Sequence, residues 1–273
     1  MKKQILVLSL FAVLAACAGS KESKEIIGTD VSLYNQGMDA LQGKKYSKAI
    51  NLFEELDRQH PYSSYAQKGQ VMTIFAKFEN EDYDEVIFEA DAFIQENVGF
   101  KNLAYIYYLK GLADYYRISD PKRDQGHTKN ALATFQALVN RFPDSKYAEE
   151  AEQKIILCQD HLASKEMEVG RYYQSTGNML AAANRFQTVV NEYQRSSQTP
   201  EALYRIAEVY TALGLNDEAV RALSILGYNY SGQSVWYEKG YDLLTNIDDH
   251  ERKYKDQDWY QKFTKGVGKV FDN

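Results

Sequence analysis

The chain has 273 residues, which is enough for one or two domains with a sizeable core. It carries 38 acidic and 32 basic side chains, for a formal net charge of −6. Nucleic-acid binding needs clustered lysines and arginines, so we do not expect this acidic chain to have a nucleic-acid partner.

The first sixteen residues have the layout of a secretory signal peptide. Lys2 and Lys3 precede a mostly apolar run over residues 5–14, and small residues follow it. A positive flank, a short apolar stretch and a small-residue cleavage site are typical of such signals. The run is too short to span a bilayer, which needs about 20 residues. We therefore expect a signal peptide over residues 1–16, and its removal takes away two lysines and shifts the net charge to −8.

The end of this segment, Leu14-Ala15-Ala16-Cys17, resembles the lipobox of bacterial lipoproteins. That resemblance implies that Cys17 becomes a lipidated N-terminus, and that Ala18 after it favours sorting to the outer membrane. Acyl chains hold a protein stably on a membrane when there are two or more of them. We expect a lipid-anchored protein on the periplasmic face, with residues 17–31 as a flexible tether. The covalent lipid is the one added group predicted, and no cofactor is expected.

One pattern recurs through the body of the chain. A small residue, three others, a large apolar residue, two others and a second large apolar residue follow one another. The i, i+4, i+7 spacing places the three marked positions on one face of a helix. The five copies are Ala49-Phe53-Leu56, Val86-Ala90-Phe93, Ala131-Phe135-Leu138, Ala182-Phe186-Val189 and Ala219-Leu223-Leu226.

Residues around these copies predict a helix partner and helix ends. Gly37, Gly170 and Ala207 each stand twelve residues before a small position, where a small residue lets a preceding helix approach closely. Pro61 and Pro143 each follow the last member of a copy by five residues, and a proline there stops the helix.

This arrangement resembles the tetratricopeptide repeat, a helix–turn–helix unit of about 34 residues. We predict an all-α fold, an α-solenoid of about five such repeats over residues 32–244. The third repeat has an insertion, predicted as a loop over 117–125, and the fourth has a long first helix over roughly 146–174. A capping helix is predicted over 234–244. Stacked repeats bury a continuous core and leave a concave surface for partners.

The sequence shows no catalytic or metal-binding constellation. Cys158 and His161 share a helical face, but two ligands fall short of the three or four protein ligands of a zinc site. One buried thiol and one surface imidazole explain this pair better. No nucleophile elbow and no glycine-rich phosphate loop is present. Enzyme activity is therefore not expected, and no catalytic or metal site is predicted.

Tyrosine is heavily used, at 22 of 273 residues, and many tyrosines fall on the inner helices of the first three repeats. Aromatic rings give much contact area at little cost in rotamer entropy and suit extended apolar and aromatic peptides. The alternative is that about half of these side chains pack between helices. The predicted substrate-peptide groove is lined by Tyr34, Met38, Val71, Phe75, Phe78, Tyr105, Tyr108, Leu112 and Tyr115.

Several runs go beyond the generic repeat. They are RQHPYS at 58–63, YLKGL at 108–112, YRISD at 116–120, RDQ at 123–125, KEMEVGRYY at 165–173 and NRF at 184–186. These runs resemble the BamD family, tetratricopeptide lipoproteins of the BAM complex, which inserts β-barrels into the outer membrane. The resemblance implies a scaffold that receives unfolded barrel precursors at its N-terminal repeats and docks a POTRA domain of BamA at its C-terminal repeats. Other BAM lipoproteins are expected as partners.

The family's docking arginine matches Arg185 here. The alternative is that Arg185 pairs with a nearby acid of its own chain, such as Glu192. Other outer-membrane lipoprotein scaffolds, such as a secretin pilotin or an adaptor for cell-wall enzymes, share lipid and repeats but do not require the quoted runs.

Residues 245–273 extend beyond the pattern of the family. Apolar side chains there keep helical spacing, yet Gly266 and Gly268 weaken a helix by about 1 kcal/mol each. A segment docked on a partner and a disordered tail both remain open, and the glycines favour the tail. The apolar positions concerned are Trp259, Phe263, Val267 and Val270.

Overall fold

A computed structural model describes residues 27–121, 123–232 and 234–252. The predictions for the signal peptide, for Cys17 and for residues 253–273 lie outside these ranges. Within them the regular structure is helical, and the predicted all-α tetratricopeptide fold is confirmed. The helices are α1 (Asp30–Gln42), α2 (Tyr46–Gln59), α3 (Ser64–Glu79), α4 (Tyr83–Glu96), α5 (Leu103–Tyr116), α6 (Gly126–Arg141), α7 (Ala148–Ser175), α8 (Met179–Glu192), α9 (Thr199–Ala212), α10 (Asn216–Tyr230) and α11 (Val235–Arg252).

The chain forms two compact units, one ending at Asn80 and the other beginning at Glu81. Unit 1 contains α1 to α3, and each of these helices packs on its neighbour in the sequence. Its core is built around Leu33, Phe53 and Leu56, which are fully buried. Unit 2 contains α4 to α11, again with sequence neighbours packed against each other. None of the helices within the described ranges is both long and apolar enough to cross a membrane.

The recurring triplets form the core, as the sequence predicts. All fifteen residues of the five copies are buried. Since their spacing follows the helical period, the three members of each triplet lie on one face of their helix.

A glycine on the first helix of a repeat faces the phenylalanine of the triplet on the second helix. A Cβ added at Gly37 would lie 2.5 Å from the Phe53 ring, and a Cβ added at Gly170 would lie 2.5 Å from the Phe186 ring. Gly111 meets Phe135 at 2.5 Å as well, although an insertion separates them in the sequence. Only glycine lets the two helices approach this closely, so the predicted role of Gly37 and Gly170 is confirmed.

The turns inside three repeats have one geometry. Lys44, Gly177 and Gly214 adopt φ values of 54°, 80° and 75°. The amide of the next residue in each turn donates to the carbonyl five residues earlier, over 2.8 to 2.9 Å. This bond satisfies a carbonyl at the end of the first helix and reverses the chain toward the second.

The irregular parts of the repeat region agree with the sequence in two places and differ in one. The insertion forms a non-helical connection between α5 and α6, and α7 is a single helix of 28 residues. The last helix, however, runs to Arg252, eight residues beyond the predicted end of the cap at Leu244. Ile247 continues the apolar stripe of α11 and is buried in the core of unit 2.

Candidate functional site

Unit 1 carries a group of aromatic rings on its first and third helices. The Tyr34 ring of α1 lies 5.2 Å from the ring of Tyr65 on α3, and 5.9 Å from the core ring of Phe53. Burial raises the pKa of Tyr34 above its ordinary value. The ammonium group of Lys68 lies 5.2 Å from the centre of the Tyr65 ring, within cation–π range.

A second group of aromatic rings lies in unit 2, where α5 meets the beginning of α7. Tyr147 lies 5.2 Å from Tyr105 and 5.1 Å from Tyr108, measured between ring centres. Burial, together with a hydrogen bond to Glu150, raises the pKa of Tyr108. Two helix turns beyond Tyr147 and Tyr108, the ammonium group of Lys154 lies 4.3 Å from the centre of the Tyr115 ring.

The nine predicted groove residues divide into two classes. Val71, Tyr108 and Leu112 are buried, so their side chains pack between helices and offer little surface to a peptide. This corrects the prediction for these three and agrees with the alternative that some of the set is core. The six half-buried residues are Tyr34, Met38, Phe75 and Phe78 in unit 1, and Tyr105 and Tyr115 in unit 2.

Tyr147, which the predicted groove does not include, immediately precedes α7 and packs on two tyrosine rings of α5. It caps the start of α7 and therefore lies outside every triplet. Lys146 beside it places its ammonium group 5.0 Å from the Tyr147 ring centre. With Lys68 and Lys154, this gives three lysines over tyrosine rings of the two aromatic groups.

The insertion between α5 and α6 is fixed to the helices around it. Gln125 donates from its amide to the carbonyls of Pro121 and Arg123, and its amide oxygen lies 3.0 Å from Nδ1 of His161 on α7. In the first turn of α6, Nδ1 of His127 lies 2.9 Å from a carboxylate oxygen of Asp114, a buried residue of α5. The contact with His161 thus joins the end of the loop to α7, and the contact between His127 and Asp114 joins α6 to α5 beside it.

Arg185, the predicted docking residue, lies on the outer face of α8. Its Nη1 donates to Oε2 of Glu166 on α7 over 2.9 Å, and its side chain remains 45% exposed. The hydrogen bond from Arg185 to Glu166 raises the pKa of the guanidinium, and a further hydrogen bond to Tyr173 adds to this. The structure thus gives Arg185 an internal partner, but on the neighbouring helix rather than at Glu192.

A network of ion pairs lies on the first helices of the last repeats, which sequence reasoning did not identify. Glu201 on α9 accepts from Arg171 of α7 at 3.1 Å and from Arg205 at 3.3 Å. Arg205 also donates to Glu208 at 2.9 Å, and its guanidinium carbon lies 5.5 Å from the ring centre of Trp236 on α11. The ion pairs join α7 to α9, and the cation–π contact with Trp236 joins α9 to α11.

The helix pairs have turns of one geometry and pack through glycine–phenylalanine contacts. These features define a tetratricopeptide-repeat protein. Proteins of this class bind other proteins on their extended surfaces. Comparison with known proteins identifies the kind. The model of a family described as an outer membrane lipoprotein, YfiO, matches residues 28–225. The chain belongs to this family, whose curated members are called BamD.

Curated relatives support this assignment along most of the chain. The outer membrane protein assembly factor BamD of Caulobacter vibrioides is 39% identical over 238 residues, covering 86% of this chain and 78% of the relative. That of Rickettsia prowazekii is 40% identical over 242 residues, covering 89% of this chain and 95% of the relative. The family resemblance drawn from the sequence is confirmed, and the family associates the chain with the outer membrane.

Proposed function

We propose that this chain is a periplasm-facing scaffold that binds unfolded β-barrel precursors and docks a POTRA domain of BamA, within a complex that also holds other BAM lipoproteins. The observation that carries the proposal is the similarity to BamD assembly factors over 86–89% of the chain. The protein acts by holding its partners together, without a cofactor and without catalysis.

The anchor in this proposal is a lipid on Cys17. It would hold the protein at the periplasmic face of the outer membrane. Replacing Cys17 by alanine should leave unprocessed precursor and remove the acyl group, which metabolic labelling with palmitate measures. Label retained on the variant would show that the lipid is attached elsewhere.

Precursor binding is supported by the chemistry of the two aromatic groups. Half-buried rings such as Tyr34 and Phe75 offer apolar area to a peptide, and the hydroxyl of Tyr34 can also donate or accept a hydrogen bond. Lys68 lies over a tyrosine ring of the group in unit 1, and Lys146 and Lys154 lie over tyrosine rings of the group in unit 2, so each group carries positive charge. An aromatic peptide that ends in a carboxylate complements both features.

Crosslinking tests this surface directly. Photoreactive residues at Tyr34, Phe78 and Tyr105 should capture aromatic-rich C-terminal peptides of barrel proteins. A photoreactive residue at Phe88, which is 76% exposed on α4, is the matched control and should capture little. Peptides with the aromatic residues changed to alanine should lose capture at all positions. Crosslinks confined to repeats four and five would contradict the proposal.

Docking of BamA is supported by the geometry of Arg185. A guanidinium has five N–H donors, so the bonds to Glu166 and Tyr173 leave capacity for a carboxylate of a partner. A planar guanidinium binds a carboxylate through two parallel bonds, which fixes orientation as well as charge. The internal pair with Glu166 holds the side chain in place before the partner arrives.

Charge reversal separates docking from an internal structural role. Arg185→Glu should weaken capture of the BamA periplasmic domains by at least about 30-fold, since truncating one member of a buried pair costs roughly 2–5 kcal/mol. Its melting temperature should stay nearly unchanged, because the pair is on the surface. Arg221→Glu on α10, at a position 71% exposed and paired with Glu218, is the control. Binding within twofold of wild type would remove Arg185 from the interface, and a large fall in melting temperature would mark a structural pair.

A further inference from the structure

The beginning of unit 1 is held by the corner between α2 and α3. Nε2 of His60 donates to the carbonyl of Gly28 over 2.8 Å, and the amide of Gly28 donates to Oε1 of Gln59 over 3.4 Å. Oγ of Ser63 donates to a carboxylate oxygen of Asp30 over 2.6 Å, and this bond lowers the pKa of Asp30. Three side chains from the run at 59–63 thus hold the backbone and side chains of residues 28–30. We call Gln59, His60 and Ser63 the entry clamp.

The entry clamp gathers exposed apolar side chains at one place. Ile27 precedes the clamped Gly28 and is 80% exposed, and Tyr62 follows His60 by two residues and is fully exposed. Val31, in the first turn of α1, is exposed as well. These three are the exposed large apolar side chains of unit 1 within the residues that the structure describes. We call them the apolar corner.

The length of chain before the apolar corner limits its distance from the anchor. Ten residues lie between Cys17 and Gly28, so eleven steps of the backbone join them. A fully extended chain of this length reaches about 40 Å, and a random coil of the same length spans roughly 20 Å. Of all parts of unit 1, the apolar corner is the first to follow the lipid along the chain. A lipid on Cys17 therefore keeps the corner within reach of the headgroup region of the bilayer.

The charge around the corner does not oppose contact with phospholipid. The whole chain is acidic, yet residues 27–80 contain six acidic and six basic side chains. Unit 1 is therefore neutral and is not repelled by anionic headgroups. Tyrosine is enriched at membrane interfaces because its ring is apolar and its hydroxyl remains hydrated.

We propose that the apolar corner docks on the phospholipid surface into which the anchor on Cys17 inserts. The inference rests on the proposed lipid anchor. Ile27, Val31 and Tyr62 add a second contact to the acyl chains, and the entry clamp makes that contact part of the folded unit. A lipid attached at Cys17 limits only the distance between unit 1 and the membrane, whereas this second contact fixes which end of unit 1 faces the membrane.

The test measures the depth of Tyr62 in the acylated, full-length protein. A fluorophore is attached to the variant Tyr62→Cys, with the protein anchored in vesicles of phosphatidylethanolamine and phosphatidylglycerol that contain headgroup nitroxide lipids. Labelling is specific, because Cys17 is acylated and burial of Cys158 raises its pKa to about 12. Phe88→Cys, labelled in the same way, is the control at a comparably exposed aromatic position.

Docking predicts about threefold stronger quenching at position 62 than at position 88, since interfacial side chains enter the headgroup boundary by about 5–10 Å. Adding Ile27→Ser and Val31→Ser to the Tyr62→Cys variant should reduce the quenching toward the control value. Equal quenching at 62 and 88 in a chain shown to be acylated by its mass would overturn the docking alone. A chain without acyl groups would overturn the anchor as well. If the probe at position 62 becomes shielded from solvent only after the BamA periplasmic domains are added, the apolar corner binds that protein instead of phospholipid.

Discussion

Unit 1 and the end of unit 2 each have their own core, built with the same kind of contact, but they differ in their surfaces. In both, a glycine faces a phenylalanine, Gly37 with Phe53 and Gly170 with Phe186. A Cβ added at either glycine would lie 2.5 Å from the ring. On the first helices of unit 1 the surface is aromatic, whereas on α7 and α9 it is a network of ion pairs. The contact that fixes each helix pair is thus independent of the surface, so repeats with the same internal contact can carry surfaces of different chemistry.

The largest loss of stability is expected when the phenylalanine is removed from either core. Phe53→Ala and Phe186→Ala should each destabilise the protein by about 3–5 kcal/mol, because a fully buried ring is lost and a cavity remains. Urea denaturation followed by circular dichroism measures both. Phe88→Ala at an exposed position should stay within about 0.5 kcal/mol of wild type. A loss more than twice as large in one unit would show that the two cores are not equivalent.

A smaller effect is expected at the glycines. Gly37→Ala and Gly170→Ala each place a methyl group against a ring, and such overpacking costs about 1–3 kcal/mol. Gly227 in α10 has no atom within 4 Å of the added Cβ, so Gly227→Ala should stabilise the protein by about 0.5–1 kcal/mol. Thermal melting of the three variants measures these shifts. Stabilisation by all three would refute the close approach of the helices.

The ion pairs of the second surface should contribute less than either core contact. Arg205→Met keeps the apolar stem but removes two ion pairs, and we expect a loss of about 1 kcal/mol or less. The loss should shrink in 1 M salt, because screening weakens charge pairs near the surface. Arg221→Met, at an exposed pair, should be neutral at either salt concentration. A salt-independent loss at Arg205 would indicate that packing on Trp236 matters more than charge.

The smallest expected effect is on the alkylation rate of Cys158, a residue of unit 2. Burial raises the pKa of this thiol to about 12, so it remains protonated and unreactive from pH 7 to 10 while unit 2 is folded. Alkylation of the native protein should be negligible in that range and complete in urea. In Phe53→Ala the rate should match wild type if the two units open independently. A faster rate would show that damage to unit 1 reaches α7.

The sequence predicted the fold well where local periodicity decides it. The triplets, the helix ends near the prolines and the long α7 all follow from helical spacing within a short segment. The end of α11 was missed because Ile247 continues the apolar stripe beyond the assumed boundary.

The candidate site was less predictable, because exposure depends on residues far away in the sequence. Tyr108 occupies an inner-helix position, yet Tyr147 of the next repeat stacks on it at 5.1 Å and helps to bury it. In the same way, the partner of Arg185 is Glu166, nineteen residues earlier on another helix. A pattern along one helix specifies which face is apolar, but it cannot specify which side chain of a neighbouring helix covers it.

The unbroken length of α7 has a mechanical consequence. Its 28 residues form a rod of about 42 Å without a proline. Tyr147 at one end stacks on α5, and Glu166, about 28 Å further along, holds Arg185. Both positions are on the same helix, so a tilt of the helix at its aromatic end also displaces the carboxylate that orients the arginine. Neither end can be repositioned without the other.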